Sequence, residues 1–128
     1  MARDKVSGVS PYEPIYGYSR AVRVGNQVFL AGTAAVGDDG NTVGIGDAAA
    51  QMRRCLEIAE RAFAPLGASL SDVVRTRVFI TDVANADAVG RVHGEIFGET
   101  CPASTMVTAG MLNPEWLLEL ELDAIVEE

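Results

Sequence analysis

Histidine, cysteine and aromatic residues are scarce in this chain of 128 residues, and their scarcity excludes several classes of protein. One histidine and two cysteines do not supply the ligand clusters that hold zinc, so we expect no metal site. Two cysteines are also too few for a disulfide scaffold, and we expect Cys55 and Cys101 to be free thiols in a reducing compartment. The single histidine, His93, follows an apolar helix position, which favours a residue at the core boundary over a ligand or base.

Long apolar runs and basic clusters are missing too. No apolar run approaches the ~18 residues of a membrane-spanning helix, and the first dozen residues lack the apolar segment of a secretory signal. Ten basic side chains stand against 18 acidic ones, which gives a formal net charge of −8. This charge repels phosphate backbones, and the basic pair Arg53-Arg54 is typical of a solvated helix face. The sequence therefore predicts a cytoplasmic protein without nucleic-acid or membrane partners.

Sequence motifs for a serine nucleophile or a nucleotide are incomplete. No serine lies in the G-x-S-x-G pattern of the α/β-hydrolases. Gly44-Ile45-Gly46 resembles part of a phosphate-binding loop, but neither G-x-G-x-x-G nor the P-loop pattern is completed. We therefore expect no bound nucleotide.

The sequence does contain a regular alternation of predicted strands and helices, in the order β-β-α-β-α-β-β. Gly25-Asn26 is typical of a two-residue hairpin turn, and Asp47 is typical of a helix start. Pro65 and Gly67 end that helix, and Gly98 ends the next one. We predict one domain over residues 1–128, with an irregular lead-in at 1–17. The predicted strands are 21–24, 28–31, 73–80, 104–111 and 117–126, and the predicted helices begin at Asp47 and Asn85.

Two helices can cover only one face of such a sheet, so the side chains should divide between a covered and an open face. Apolar positions predict the covered side, and alternate charged positions predict the open side. An open face that mixes charges with apolar groups favours a symmetric oligomer. The covered set is Val74, Thr76, Val78, Ile80, Leu118, Leu120 and Leu122, with Val89, Val92, Ile96 and Phe97 on the second helix. The open set is Arg75, Arg77, Phe79, Glu119, Glu121, Asp123 and Ile125.

Several short segments, in order and over about residues 15 to 126, resemble the reactive intermediate deaminase family, also called the Rid or YjgF-type family. They begin at Tyr18-Ser19-Arg20-Ala21-Val22-Arg23-Val24-Gly25-Asn26, Ala31-Gly32 and Gly67-Ala68-Ser69-Leu70-Ser71-Asp72-Val73-Val74-Arg75. They continue at Val78-Phe79-Ile80-Thr81-Asp82, Cys101-Pro102-Ala103 and Glu119-Leu120-Glu121-Leu122-Asp123-Ala124-Ile125.

The resemblance implies a chorismate-mutase-like α+β fold, a mixed β-sheet with two helices on one face. It also implies a homotrimer with a central barrel and three clefts, each between two subunits. Members of the family hydrolyse enamines and imines of small metabolites, such as 2-aminoacrylate, to 2-keto acids and ammonia without a metal or cofactor. An arginine that follows Pro-Ala holds the substrate carboxylate in those members, and a bidentate guanidinium suits that task.

Carried over by position, the resemblance gives Glu121 the catalytic acid–base role and makes Tyr18 and Gly32 substrate-binding residues. The arginine position is Ser104, which is followed by Thr105. The remaining pocket positions also differ from the usual residues, with Gly90 in place of asparagine, Ala31 in place of serine and Met106 in place of a small residue or cysteine.

Without the arginine, carboxylate binding should weaken roughly a hundredfold or more, so generic 2-aminoacrylate deamination is not expected. Arg20, Arg75 and Arg77 are the candidates to replace it, against the simpler expectation that they pair with carboxylates of the last strand. Two functions stay open: a divergent imine or enamine deaminase, and a non-catalytic trimer that binds a small metabolite. An RNA-cleaving function ranks third, because the chain is acidic and has one histidine.

Overall fold

A computed structural model describes residues 2–127, whose strands form one mixed six-stranded sheet with two main helices packed on one face. This confirms the predicted α+β class. The sheet order is β1-β2-β3-β6-β4-β5. The strands are β1 (Arg3–Val6), β2 (Ala21–Val24), β3 (Gln27–Thr33), β4 (Val73–Ile80), β5 (Ala103–Thr108) and β6 (Leu118–Ile125), and the helices are α1 (Tyr12–Tyr16), α2 (Ala48–Phe63) and α3 (Ala86–Phe97).

Strand pairing places β6 in the middle of the sheet. It runs antiparallel to β3 on one side and to β4 on the other, and β4 pairs in parallel with the edge strand β5. The last two strands of the chain are therefore not neighbours, because β4 lies between them. Gly25, at φ 63°, makes the predicted tight turn between β2 and β3.

The lead-in predicted to be irregular contains structure, so that prediction is wrong for two segments. β1 pairs with β2 along the first edge of the sheet, with Lys5 opposite Val22. α1 is only five residues long and ends at Gly17, whose φ of 79° is left-handed. Neither element carries a sequence signal, because β1 is an exposed edge strand without an apolar face and α1 is too short for helical periodicity.

The core lies between the helices and the covered face of the sheet, as predicted. Leu118, Leu120 and Leu122 on β6 are fully buried in one apolar cluster with residues of α2 and α3. Asp47 caps α2 as predicted, with its Oδ1 accepting a hydrogen bond from the Ala50 N–H at 3.0 Å. Cys55 is buried in this core, and burial raises the pKa of its thiol to about 12. The predicted free thiols are confirmed, with Cys55 buried and Cys101 exposed.

Two predicted core positions are wrong. Val74 is 44% exposed, because the β4–β6 register shifts between Val73 and Arg75 and this bulge turns Val73 inward in its place. Ile96 is 42% exposed near the end of α3, where Val92 and Phe97 face the core instead. The spacing of apolar residues alone does not predict a one-residue bulge or the boundary between the buried and exposed sides of a helix.

A buried amide fixes the chain where it enters β6. Gln51 on α2 is fully buried, and its Nε2 donates hydrogen bonds to the carbonyl oxygens of Gly44 and Glu115 at 3.2 and 3.0 Å. Its Oε1 accepts a hydrogen bond from the Leu117 N–H at 2.8 Å. The bonds to Glu115 and Leu117 tie the segment before β6 to α2, and so they help to set the position of Glu119, two residues after Leu117.

The open face carries the predicted mixture of charge and apolar surface. Arg77 Nη1 lies 3.2 Å from a carboxylate oxygen of Asp123 and 3.7 Å from one of Glu121, which confirms pairing across β4 and β6. Phe29 and Ile125 on the same face are each about two-fifths exposed. Within residues 2–127, no helix has the length and apolar character needed to cross a bilayer.

Candidate functional site

A cleft of about 1100 Å³ opens between the N-terminal segment, β3 and the loop that leads into β6. Its wall combines aromatic, cationic and acidic side chains, which is typical of a site for a small polar molecule. Among the residues that line the cleft are Glu13, Tyr18, Arg20, Gly32, Trp116 and Glu119. Of the predicted site residues, Tyr18 and Gly32 are in this wall.

Glu119 lies directly against Gly32. A Cβ built on Gly32 would stand 2.7 Å from Oε2 of Glu119, closer than real atoms approach. The missing side chain at Gly32 lets another group come near, and that group is this carboxylate. Gly32 thus leaves room for an acid in the cleft wall.

The environment of Glu119 makes its carboxyl hold a proton more tightly than a free glutamate does. Burial raises the pKa of the Glu119 carboxyl above its usual value of 4.5. The Arg20 guanidinium opposes this shift of the pKa, and the negative charge of Glu121 adds to it. A carboxyl whose pKa moves toward neutral pH is suited to both accepting and donating a proton.

Arg20 is the cation of the cleft, and its side chain is only 11% exposed. Its Nη1 donates to the carbonyl oxygen of Gly32 at 2.7 Å and to Oγ1 of Thr33 at 2.9 Å. Its Nε lies 4.0 Å from the buried carboxylate of Glu13, which in turn accepts the Gly8 N–H with both oxygens. Arg20 Nη2 makes no hydrogen bond within residues 2–127, so it has donors left for a ligand.

Tyr18 stands beside this arginine at the cleft rim. The Arg20 guanidinium carbon lies 5.7 Å from the centre of the Tyr18 ring, within the range of a cation–π contact. The Tyr18 hydroxyl and Oγ of Ser10 are 3.1 Å apart. The side chain is 39% exposed, so the ring is available to contact a molecule that enters the cleft.

Trp116 contributes a donor without an acceptor. Its indole Nε1 is buried and is the one buried side-chain N or O atom in residues 2–127 that lacks a hydrogen-bond partner. Trp116 also lines the cleft. Because buried polar atoms are nearly always paired, an acceptor on a bound molecule or an ordered water is the expected partner.

Glu121, to which the resemblance gives the acid–base role, lies elsewhere. It faces the open side of the sheet beside Arg77 and is absent from the cleft wall that Glu119 lines. Arg77 is thus paired with carboxylates, as the simpler expectation has it, and Arg75 is exposed on the same strand. The acid–base role of Glu121 stays a prediction.

The other predicted site residues lie at the far edge of the sheet. β5 is three strand positions from β3, about 14 Å across the sheet. Ser104 and Thr105 are exposed on β5, Met106 packs against the core, and Gly90 on α3 has open space where a side chain would extend. A single chain therefore does not bring these four residues to Tyr18 and Gly32.

Four cleft residues were not singled out from the sequence as site residues: Glu13, Thr33, Trp116 and Glu119. Glu119 shares a strand face with Glu121, so alternation alone could not choose between them. Glu13 lies in the segment predicted to be irregular. For Glu119 and Thr33, the glycine at Gly32 was the available signal, since a residue without a side chain indicates close approach at this end of β3.

Comparison with known proteins agrees with this architecture. The family model described as Endoribonuclease L-PSP matches residues 9–126. The 3-aminoacrylate deaminase RutC of Acinetobacter baylyi is 34% identical over 107 residues, which cover 84% of this chain and 85% of that protein.

Two solved structures extend the match to the fold. A member of the YjgF/YER057c/UK114 family from Mycobacterium tuberculosis is 43% identical, with a TM-score of 0.87 over 98% of this chain and 100% of that one. A Rid-family protein of unknown function from Yersinia pestis is 25% identical, with a TM-score of 0.84 over 98% and 100%. The chain therefore belongs to the Rid/YjgF family.

Proposed function

We propose that this protein binds a small enamine, imine or related metabolite and hydrolyses it to a carbonyl compound and ammonia. The observation that carries the proposal is the carboxyl of Glu119, half-buried in the cleft wall against Gly32 and with a pKa raised by burial. Imine hydrolysis needs one group that both takes and returns a proton near neutral pH, and such a carboxyl meets that need. Family membership supports the same class of reaction.

The reaction divides into two proton transfers at Glu119. An enamine first tautomerises to the imine. The carboxylate then removes a proton from a water molecule as the water oxygen bonds to the imine carbon, and the imine nitrogen takes a proton from solvent, which gives a neutral carbinolamine. The carboxylic acid then returns its proton to the amine nitrogen as the carbon–nitrogen bond breaks. Ammonia leaves, the hydroxyl proton returns to solvent as the carbonyl forms, and Glu119 is again a carboxylate.

Arg20 is proposed to hold the acidic end of the substrate. Its Nη2 is without a partner in residues 2–127, and a guanidinium pairs well with a carboxylate. The substrate named for the RutC relative, 3-aminoacrylate, is an enamine with one carboxylate. A substrate of this kind would place its carboxylate at Arg20 and its reacting carbon toward Glu119.

The active assembly is proposed to be a homotrimer whose clefts are shared by neighbouring subunits. The two groups of predicted site residues lie at separate parts of the sheet, so a second copy must bring its β5 edge to the cleft for both to contact one ligand. The partly apolar open face, with Phe29, Val107 and Ile125 exposed, supplies a surface for association. Sedimentation equilibrium should give a trimer of the 13.5 kDa chain.

A coupled assay tests the reaction. An amino-acid oxidase generates imines in situ from a panel of amino acids, and ammonia release is followed with and without this protein. Acceleration over buffer for at least one imine supports the proposal. The absence of acceleration over the whole panel, with the protein folded and trimeric, would contradict it.

The second candidate is a trimer that binds the metabolite without turnover. It is favoured by Ser104 at the position where the resemblance expects arginine, because an uncharged hydroxyl replaces the strongest carboxylate contact. Under this alternative, small acids raise the melting temperature while the coupled assay stays at the buffer rate. Stabilisation together with turnover would exclude it.

A further inference from the structure

Three side chains form a continuous hydrogen-bonded line from α3 to the edge of the sheet. His93 Nε2 on α3 lies 2.8 Å from Oγ1 of Thr76 on β4, and this Oγ1 lies 2.8 Å from Oγ of Ser104 on β5. Thr76 is fully buried, His93 is partly buried and Ser104 is exposed. The line therefore runs from the side of the helix layer to a hydroxyl at the surface.

The direction of the hydrogen bonds follows from counting protons. The geometry at Ser104 makes Thr76 the donor of that bond, and a threonine hydroxyl has a single hydrogen. Thr76 must then accept from His93, which requires the neutral imidazole to carry its hydrogen on Nε2. All bonds of the line thus point toward Ser104.

The imidazole is held in a form that suits this role. Partial burial lowers the pKa of His93 below its usual 6.5, so the ring is neutral at pH 7. The ring of Phe97 packs against it at a centroid distance of 4.7 Å and limits its rotation. The tautomer is therefore determined by Thr76.

Ser104 ends the line with its own hydrogen unused. Its oxygen accepts from Thr76, and its O–H donates to no group within residues 2–127. Hydrogen bonds aligned in series polarise one another, so the final donor is stronger than an isolated serine hydroxyl. The three groups carry no charge, however, and so do not compensate the desolvation of an anion.

We propose that Ser104 is a hydrogen-bond donor that recognises an uncharged acceptor, a carbonyl oxygen or an imine nitrogen, and that Thr76 and His93 position it. The location of the ligand rests on the proposed function, in which the β5 edge of one subunit meets the cleft of another. The preference of Ser104 for an uncharged acceptor is the same whether or not the bound molecule is hydrolysed.

The hydrogen-bond line has its own test, which needs no ligand. His93 is the only histidine, so a long-range ¹H–¹⁵N spectrum contains one imidazole. We expect the Nε2–H tautomer in the wild type and in Thr76→Ser, which keeps the hydroxyl. Thr76→Val should move the ring toward the free-histidine tautomer mixture. An Nδ1–H tautomer in the wild type, or no change in Thr76→Val, would overturn the role of Thr76 and His93.

Ligand specificity is tested with a matched pair of probes, pyruvamide and pyruvate, titrated by calorimetry. Ser104→Ala should weaken pyruvamide binding about 2- to 10-fold, the worth of one neutral hydrogen bond. Thr76→Val should give a similar loss, and the double variant should lose no more than Ser104→Ala. Thr76→Ser should restore wild-type binding.

Replacement of the donor by a cation completes the test. Ser104→Arg should increase the affinity for pyruvate relative to pyruvamide about 10-fold or more, because a guanidinium pairs with the carboxylate. Equal pyruvamide binding by the wild type and Ser104→Ala, or binding of neither probe, would overturn the assignment of Ser104. A failed coupled assay with Ser104-dependent binding intact would contradict the proposed hydrolysis alone.

Discussion

Glu119 and Glu121 lie two residues apart on the same face of β6, yet the structure gives them different surroundings. Glu119 stands against Gly32 in the cleft with Arg20 nearby, and burial raises the pKa of its carboxyl. Glu121 lies beside Arg77 on the open face, with its side chain 37% exposed. The alternating sequence pattern marks both carboxylates equally. The groups packed around each one determine which acid is suited to proton transfer.

The largest expected effect follows from replacing the cleft acid. Glu119→Gln keeps the shape of the side chain and removes its ability to exchange a proton, so we expect kcat to fall about 10²- to 10⁴-fold. The coupled assay measures the rate, and a melting curve confirms that the variant is folded. A folded variant with at least half of the wild-type kcat would remove Glu119 from the mechanism.

Substitutions of Arg20 in the cleft and Arg77 on the open face test the same comparison. Arg20→Met should weaken binding of an acidic substrate about 10- to 100-fold, because a charge-assisted hydrogen bond is lost. It should also lower the melting temperature, since the buried Glu13 loses its partner. Arg77→Met is the matched control, because Arg77 pairs with partly buried carboxylates of the open face, outside the cleft wall.

Substrate saturation curves for these two variants give the comparison. Arg77→Met is expected to change KM less than 3-fold once the variant is shown to form the same oligomer, because Arg77 is absent from the cleft wall. Equal KM values in the two variants would mean that Arg20 does not bind the substrate.

A substitution at Gly32 can move the Glu119 carboxylate while the glutamate itself is kept. A Cβ at Gly32 would overlap Oε2 of Glu119, and this flexible carboxylate end would move aside. We therefore expect Gly32→Ala to lower kcat/KM about 10-fold with little loss of stability. Gly94→Ala is the control, because nothing lies within 4 Å of the added methyl group, and it should stabilise α3 by about 1 kcal/mol. Rates and denaturant melts are measured for both variants. A lower rate of Gly32→Ala that is accompanied by a large loss of stability would show that its effect is only structural.

The smallest effect is a change in the pH dependence of stability. The Glu119 pKa is raised in the folded protein, so the folded state holds this proton more tightly than the unfolded state. Its contribution to the free energy of unfolding is present below about pH 4.5 and is lost as pH rises through the folded pKa. Glu119→Gln should therefore become more stable, relative to the wild type, as pH rises from 4 to 7. Denaturant melts of both proteins over this range measure the difference, and a constant difference would contradict the raised pKa.

The sequence predicted most of the fold, because its large signals are periodic. The leucines of β6, the cap at Asp47 and the turn at Gly25-Asn26 are local patterns, and all are confirmed. Val74 and Ile96 were assigned to the core wrongly, since a bulge and a helix boundary depend on tertiary packing.

The site was less predictable than the fold, because it is assembled from contacts distant in sequence. Arg20 could be named as a candidate, but its bonds to Gly32 and Thr33 across the β2–β3 turn could not. The line from His93 through Thr76 to Ser104 joins three elements and has no sequence signature. Glu119 and Glu121 are equivalent in the alternating pattern, and only the position of Gly32 distinguishes them.

The most direct test of the central claim compares the two acids in one experiment. The imine-hydrolysis rates of Glu119→Gln and Glu121→Gln are measured side by side at pH 7, with both variants shown to be folded and in the same oligomeric state. We expect a kcat/KM about 100-fold lower for Glu119→Gln than for Glu121→Gln. An equal loss, or a larger loss for Glu121→Gln, would contradict it.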